Sequence, residues 1–340
     1  MHFKHVGGWT SVRYFLQRLG FFVLSLMAAI TINFFLPRLM PGNPAEAMIT
    51  RYKGQLNPMA LHSLELQFGV SNQPMWQQYL SYLNNTFHGN FGLSITYYPV
   101  PVINVIGNSL PWTLGLAGTA TIIATVVGTL LGILAAWRRG GVIDSILPLV
   151  TTFTSSIPYQ WLALLLLYVL GFELGWFPTA HSYSTILTPS WNGPFIVNVL
   201  YHAILPAATL IITAIGGWLF GMRNNMINIL GEDYVVFAEA KGVKDKRLMI
   251  SYAARNAMLP SLTGFGMALG FVVGGAVLVE SIFSYPGVGY QLVAAVQNED
   301  YPLMQGLFLI ISFAVLLANF IVEMLYGRLD PRVRKGGANS

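Results

Sequence analysis

Few side chains in this 340-residue chain are equipped for covalent chemistry, and none is spaced for it. There is no cysteine, so disulfides, thiolate nucleophiles and thiolate metal ligands are absent. The six histidines, His2, His5, His62, His88, His181 and His202, show no paired metal-ligand spacing, and no Gly-x-Ser-x-Gly turn presents a nucleophilic serine. No Gly-x-x-x-x-Gly-Lys-Ser/Thr loop is present to cradle phosphates, so the chain itself is not expected to hydrolyse ATP. Coupling to ions needs ionisable groups deep in a membrane, and the candidates are Glu280 and Glu323, each near the end of an apolar run. Glu323 is expected to pair with a nearby base such as Arg328, Glu280 to anchor an outer turn, and His202 to be a satisfied interfacial residue. No catalytic residue, metal site or bound cofactor is expected.

What these residues can do instead is recognise a partner. The stretch Arg223 to Leu259 carries six of the 18 basic residues, Arg223, Lys241, Lys244, Lys246, Arg247 and Arg255. Gly231 breaks the preceding helix, and Glu232 and Asp233 follow where a helix N-terminus favours negative charge. Gly242 can take the left-handed conformation that ends that helix, and Asp245 is expected to cap the next one, through Leu248, Met249, Tyr252 and Ala253. The grammar is helix, glycine turn, helix, with Ala238, Ala240 and Gly242 leaving a knob narrow enough to enter a groove on a soluble partner.

The elements that hold this knob are membrane spans. The chain is 54% hydrophobic and only 9% charged, with mean hydropathy +0.59, against about 25% charged in soluble domains. Apolar runs long enough for a bilayer lie at roughly 14–37, 110–136, 145–173, 200–222, 260–283 and 302–327, giving about six transmembrane helices in an all-α membrane protein. Pro158 and Pro206 fall inside the third and fourth and are expected to kink or break them. Fifteen basic residues flank the two termini, the loop after the second run and the Arg223–Leu259 stretch, whereas Arg38, Arg51 and Lys53 stand alone on the other side. The positive-inside rule puts both termini and the knob in the cytoplasm. The net charge of +5 then reflects topology and inner-leaflet lipid, not nucleic acid. Glycines within the runs, Gly118, Gly128 and Gly132 in the second and five from Gly264 to Gly275 in the fifth, are read as close helix packing, with the fifth run as the first choice for a mobile interface.

This divides the chain into a cytoplasmic N-terminus and first span (1–37), an extracytoplasmic helical subdomain (38–109), a five-helix core (110–327) containing the loop 223–259, and a cytoplasmic tail (328–340). In the subdomain, Asn57-Pro58 opens one helix and Pro74 a second, with an aromatic or apolar face through Trp76, Tyr79, Leu80 and Leu83, ended by Gly89 and Gly92. The outer segment Glu280 to Tyr290 sets Phe283, Tyr285 and Tyr290 beside Pro286, Gly287 and Gly289. It reads equally as a re-entrant turn covered by protein and as an aromatic belt.

Motifs along nearly the whole chain resemble the permease subunits of ATP-binding-cassette importers, in the branch carrying dipeptides, oligopeptides and nickel. They are Arg38-Leu39-Met40-Pro41-Gly42-Asn43-Pro44; Phe68-Gly69-Val70 leading to Pro74-Met75-Trp76-Gln77-Gln78-Tyr79-Leu80; His88-Gly89-Asn90-Phe91-Gly92-Leu93-Ser94; Gly231-Glu232-Asp233-Tyr234; Ala238-Glu239-Ala240-Lys241-Gly242; Arg255-Asn256-Ala257-Met258-Leu259-Pro260; and Phe283-Ser284-Tyr285-Pro286-Gly287-Val288-Gly289. The resemblance implies the type I importer permease fold in a bacterial or archaeal inner membrane. Its implied partners are a second homologous permease, two ATPase subunits that hold ATP and Mg, and an extracytoplasmic solute-binding protein. It makes Ala238, Glu239, Ala240, Lys241, Gly242, Val243, Arg255 and Asn256 the ATPase-coupling loop, and Glu280, Phe283, Tyr285, Pro286, Gly287 and Gly289 an outer turn or gate. Importer permeases in general carry Glu-Ala-Ala where this chain has Val236, Phe237 and Ala238, and the peptide branch commonly has histidine where Tyr252 stands. Peptide is the expected cargo. The Tyr252 departure and the aromatic outer loops keep an oligosaccharide importer of the same family as the alternative.

Overall fold

The computed structural model describes residues 7–39 and 74–329. The helix expected at Asn57-Pro58, residues 40–44 and Phe68-Gly69-Val70 of the motifs, and the tail beyond 329 lie outside the described residues. Among the described residues five helices are long and apolar enough to cross a bilayer, six if a bent pair is counted as one span. The candidate spans are Phe15–Leu36, Val102–Trp137, Gly193–Leu230, Asp245–Ile282 and Tyr301–Met324, with Val142–Ser156 and Tyr159–Glu173 as the bent pair.

The break in the bent pair is 91°. Ile157 is extended, as a residue before proline prefers, and Pro158 caps the second half. Pro206 behaves differently, because the helix Gly193–Leu230 runs through it uninterrupted. Leu205, Pro206 and Thr209 are buried there, so packing holds the helix across the missing hydrogen bond.

The chain forms two compact units, and the boundaries fall after Pro111 and Pro286. The first contains α1 (Gly7–Leu39), α2 (Met75–Phe87), most of α3 (Val102–Thr113), and two later helices, Val288–Gln297 and Tyr301–Leu329. α1 lies along Tyr301–Leu329 with Phe22 and Phe320 ring centroids 5.3 Å apart. Arg18 Nη1 donates to Glu323 Oε1 at 2.9 Å, so Glu323 has a partner on the first span. α2 begins after Pro74, as read from the sequence, and docks on α1 through Tyr79 and Tyr82 against Phe34, at 5.1 and 5.4 Å. Its inward face differs from the expected one, since Trp76 and Leu80 are exposed. Asn33 and Gln305 exchange two side-chain to backbone bonds of 2.9 and 3.2 Å.

α3 starts at Val102, and Val102, Val105 and Ile106 join Val288, Leu303, Met304 and Leu307 in the core of this unit. A Cβ on Gly306 would lie 2.6 Å from Val102 Cγ1, so helix and helix touch there without room for a side chain. Asp300, fully buried, accepts from Ser94 Oγ, from Thr96 N at 2.8 Å and from Leu303 N at 3.1 Å, which pins the preceding loop to a helix start.

The second unit, Trp112–Pro286, holds the remaining helices. They are α4 (Thr119–Trp137), α5 (Val142–Ser156), α6 (Tyr159–Leu166) with a π-helical extension to Glu173, and α7 (Gly193–Leu230). α8 (Asp233–Ala240), α9 (Asp245–Arg247), α10 (Arg255–Gly275) and α11 (Val277–Ile282) follow; α12 (Val288–Gln297) and α13 (Tyr301–Leu329) are those already placed in the first unit. α4 meets α7 at Gly128 and Gly132, where an added Cβ would sit 2.7 Å from Ile215 O and 2.6 Å from Leu219 O. α5 meets α7 at Gly216, whose Cβ position falls on Ser155 Oγ and 2.9 Å from Thr151 O. In the fifth run, Gly264 makes an ordinary 3.6 Å contact with the Trp218 ring. At Gly128, Gly132 and Gly216 the helices approach closely because small residues of the second and fourth runs leave room for it.

Candidate functional site

The knob folds as its glycine requires. α8 ends with Gly242 N–H donating to Glu239 O at 2.8 Å and Val243 N–H to Ala238 O at 3.2 Å, the paired bonds of a Schellman cap. Gly242 takes φ +75°, a left-handed value that a β-carbon would strain, and no atom lies within 4 Å of where that β-carbon would be. The cap therefore demands glycine through backbone conformation alone, and the turn it makes is open to a partner.

Three buried side chains seat the knob. Val235 and Ala238 of α8 and Leu248 beyond the turn pack on one another and against Trp137 at the end of α4, Ile229 and Leu230 at the end of α7, and Val243 and Tyr252. Asn256 Nδ2 donates to Tyr234 Oη and to Tyr252 O, both at 2.9 Å, tying the start of α8 to the return helix. Asp245 is the first residue of α9 and makes no cap; Lys244 holds the N-cap position, without a side-chain bond. The residues from Leu248 to Ala254 are π-helical and lead into α10 at Arg255.

The opposite face of α8 is open and apolar. Val236 is 53% exposed and Phe237 62%, with Lys241 Nζ 4.3 Å from the Phe237 ring centroid. Glu239, Ala240, Lys241, Gly242 and Arg255 are exposed too, whereas Ala238 is buried and Val243 and Asn256 are half-buried. Val235 and Trp137 escaped the sequence reading, which placed Leu248 on the second helix but not in a seat. An apolar residue three before Ala238 and another just past the glycine turn were the available signal.

The outer turn is built from protein interior. Phe283 and Tyr285 are buried in a cluster with Leu116, Ala163, Leu205 and Val279, so the belt reading fails for both rings. Glu280 is fully buried; its carbonyl accepts Tyr285 N–H at 2.8 Å, and His181 N–H donates to Phe283 O at 3.0 Å. Burial, with the nearby Glu280 carboxylate, pushes the Tyr285 phenol above its ordinary range. The Trp112 ring lies 5.9 Å from both Tyr183 and Tyr285. Pro286 closes this unit, Gly287 caps α12 in an extended conformation, and Gly289 is buried in that helix. The six expected residues are thus one turn along the chain, with Glu280, Phe283 and Tyr285 buried.

The sequence also passed over Asp144, the one acid between Glu65 and Glu173, set beside Arg138 and Arg139 at the start of an apolar run. It faces Arg223: Nε to Oδ1 is 2.6 Å and Nη2 to Oδ2 is 3.1 Å.

Residues 128–335 match the family model described as binding-protein-dependent transport system inner membrane component. The chain is 35% identical to a di/tripeptide transport system permease protein of Pseudomonas aeruginosa over 334 residues, covering 94% of this chain and 97% of the relative. It is 33% identical to a dipeptide transport system permease protein of Escherichia coli (95% and 99% covered) and 33% identical to an oligopeptide transport system permease protein of Bacillus subtilis (94% and 98%).

Proposed function

Because the chain belongs to the family of binding-protein-dependent transport system inner membrane components, we propose that it forms, with a second permease, the membrane path for peptide uptake driven by ATP hydrolysis on partner subunits. The observation that carries this reading is the knob itself: a capped helix seated by Val235, Ala238 and Leu248 on the ends of α4 and α7, with Val236 and Phe237 turned outward. An apolar pair on the outer face of a charged loop fits burial in a cleft on another protein. The position that carries Glu in many importer permeases is Val236 here, so the contact is expected to be more apolar than in those relatives.

In this reading the knob lies in the cytoplasm, both termini lie there too, and an extracytoplasmic binding protein delivers the cargo. ATP and Mg bind the ATPase partners. ATP-driven closure of the two ATPases moves the two knobs and shifts the permease pair between inward-open and outward-open states of similar free energy. The names of the relatives favour peptide as cargo. The oligosaccharide alternative rested on Tyr252 and the outer aromatics, and these have structural duties: Tyr252 lies against the seat of the knob, and Phe283 and Tyr285 are core residues.

The test is purification of the complex through a tag on this chain, followed by reconstitution with its binding protein. Two ATPases should co-purify, and labelled dipeptides should enter only with ATP. A binding protein that retains oligosaccharide and no peptide would overturn the cargo.

A further inference from the structure

The knob sits on the ends of α4 and α7, yet the span with the 91° break begins at α5, which supplies none of the knob's seat. A polar contact between Asp144 and Arg223 spans that gap. Asp144, in the first turn of α5, receives Arg223 of α7 through two hydrogen bonds of 2.6 and 3.1 Å, and it also accepts Gly140 N–H at 3.0 Å from the tight turn joining α4 to α5. The pair is mostly covered, with side-chain exposures of 8% for Asp144 and 21% for Arg223. A bidentate guanidinium–carboxylate contact fixes orientation as well as distance, which a hydrophobic contact does not. Further along, α7 touches α5 again at Gly216, against Thr151 and Ser155, just before the break at Pro158. The chain of contacts therefore runs from the seat of the knob, through the ends of α4 and α7, to both ends of α5.

We propose that Asp144 and Arg223 are positioning residues of transport, the link by which displacement of the knob is passed to the broken span Val142–Glu173. The proposal rests on the coupling role given to the knob. With the pair intact, α5 follows α7 as one body and the movement is delivered to the bend at Ser156–Pro158. Without it, α7 is free to slide along the glycine contact at Gly216 while α5 lags.

The experiment compares the intact purified complex in proteoliposomes with Asp144→Asn, Arg223→Gln and the exchanged pair Asp144→Arg with Arg223→Asp, Arg139 kept throughout. Peptide uptake and ATP hydrolysis are measured on the same vesicles. Each single variant is expected to keep hydrolysing ATP while peptide moved per ATP falls about fivefold or more, the scale of an ordinary coupling free energy, and the exchanged pair should recover at least half of the wild-type ratio. An unchanged ratio in assembled single variants overturns the proposal. If the single variants fail to assemble, the exchanged pair decides: a recovered complex with the wild-type ratio supports the link, and recovered assembly with a ratio still reduced shows that the pair only holds the fold. The wild-type complex separates the two ideas, since absence of peptide uptake there would defeat the functional reading before any variant is scored.

Discussion

At Gly242 a single dihedral sets a conformational demand. Its φ of +75° with open space around the missing β-carbon means that a substitution is opposed by conformation and not by collision. Gly242→Ala and Gly242→Val should both cost about 1–2 kcal/mol in the turn, while only valine adds real bulk to the exposed knob. Both variants are expected to insert normally; transport per ATP should fall modestly for alanine and severely for valine, measured on the reconstituted complex. Equal, wild-type coupling in both would place docking elsewhere. Glu280 makes the opposite kind of case, since it is fully buried beside a buried tyrosine. An anchoring role expects Glu280→Gln to preserve assembly and most transport, and Glu280→Leu to lower the thermal stability of the complex. Selective loss of positively charged peptides in the Gln variant would put this side chain in the pathway instead.

At the scale of elements, α8 buries Val235 and Ala238 and exposes Val236 and Phe237. Its inner face is held by burial: Leu248→Ala, removing a side chain that is 3% exposed, is expected to destabilise the knob by about 2–5 kcal/mol. Faster hydrogen exchange confined to residues 233–254 would report that loosening. The outer face is tested by Phe237→Asp. A change at a 62% exposed position should alter the stability of the chain by no more than about 0.5 kcal/mol yet strip the ATPases from the complex during purification. Retention of the ATPases at wild-type yield would remove Phe237 from the interface. The glycine turn was legible because a left-handed cap has a residue preference of its own, whereas the seat was not, because Trp137 and Leu248 are joined only by folding.

For the molecule as a whole, orientation is the property on which the importer reading depends. The absence of cysteine makes it directly measurable. Thr188→Cys, exposed in the loop before α7, is expected to react with an impermeant maleimide on intact cells, and Lys244→Cys, exposed at the knob, only after permeabilisation. The reverse pattern would contradict uptake.

The sequence by itself determined the all-α membrane class, the positions of the apolar runs, the broken helix at Pro158 and the glycine-ended knob. Each is written in local chemistry: a hydropathy window, a proline without an N–H, a residue that tolerates positive φ. Tertiary structure decided which charges meet and which aromatics are covered. Glu323 pairs with Arg18, 305 positions away, and Asp144 with Arg223, 79 positions away. Phe283 and Tyr285 become core, where the sequence read equally as a covered re-entrant turn and as an aromatic belt. Pro206 stays helical because buried neighbours hold the chain through it, while Pro158 follows an extended residue and bends. Such outcomes depend on which surfaces face one another once the helices pack, and that information is held by pairs of distant residues and not by any one segment.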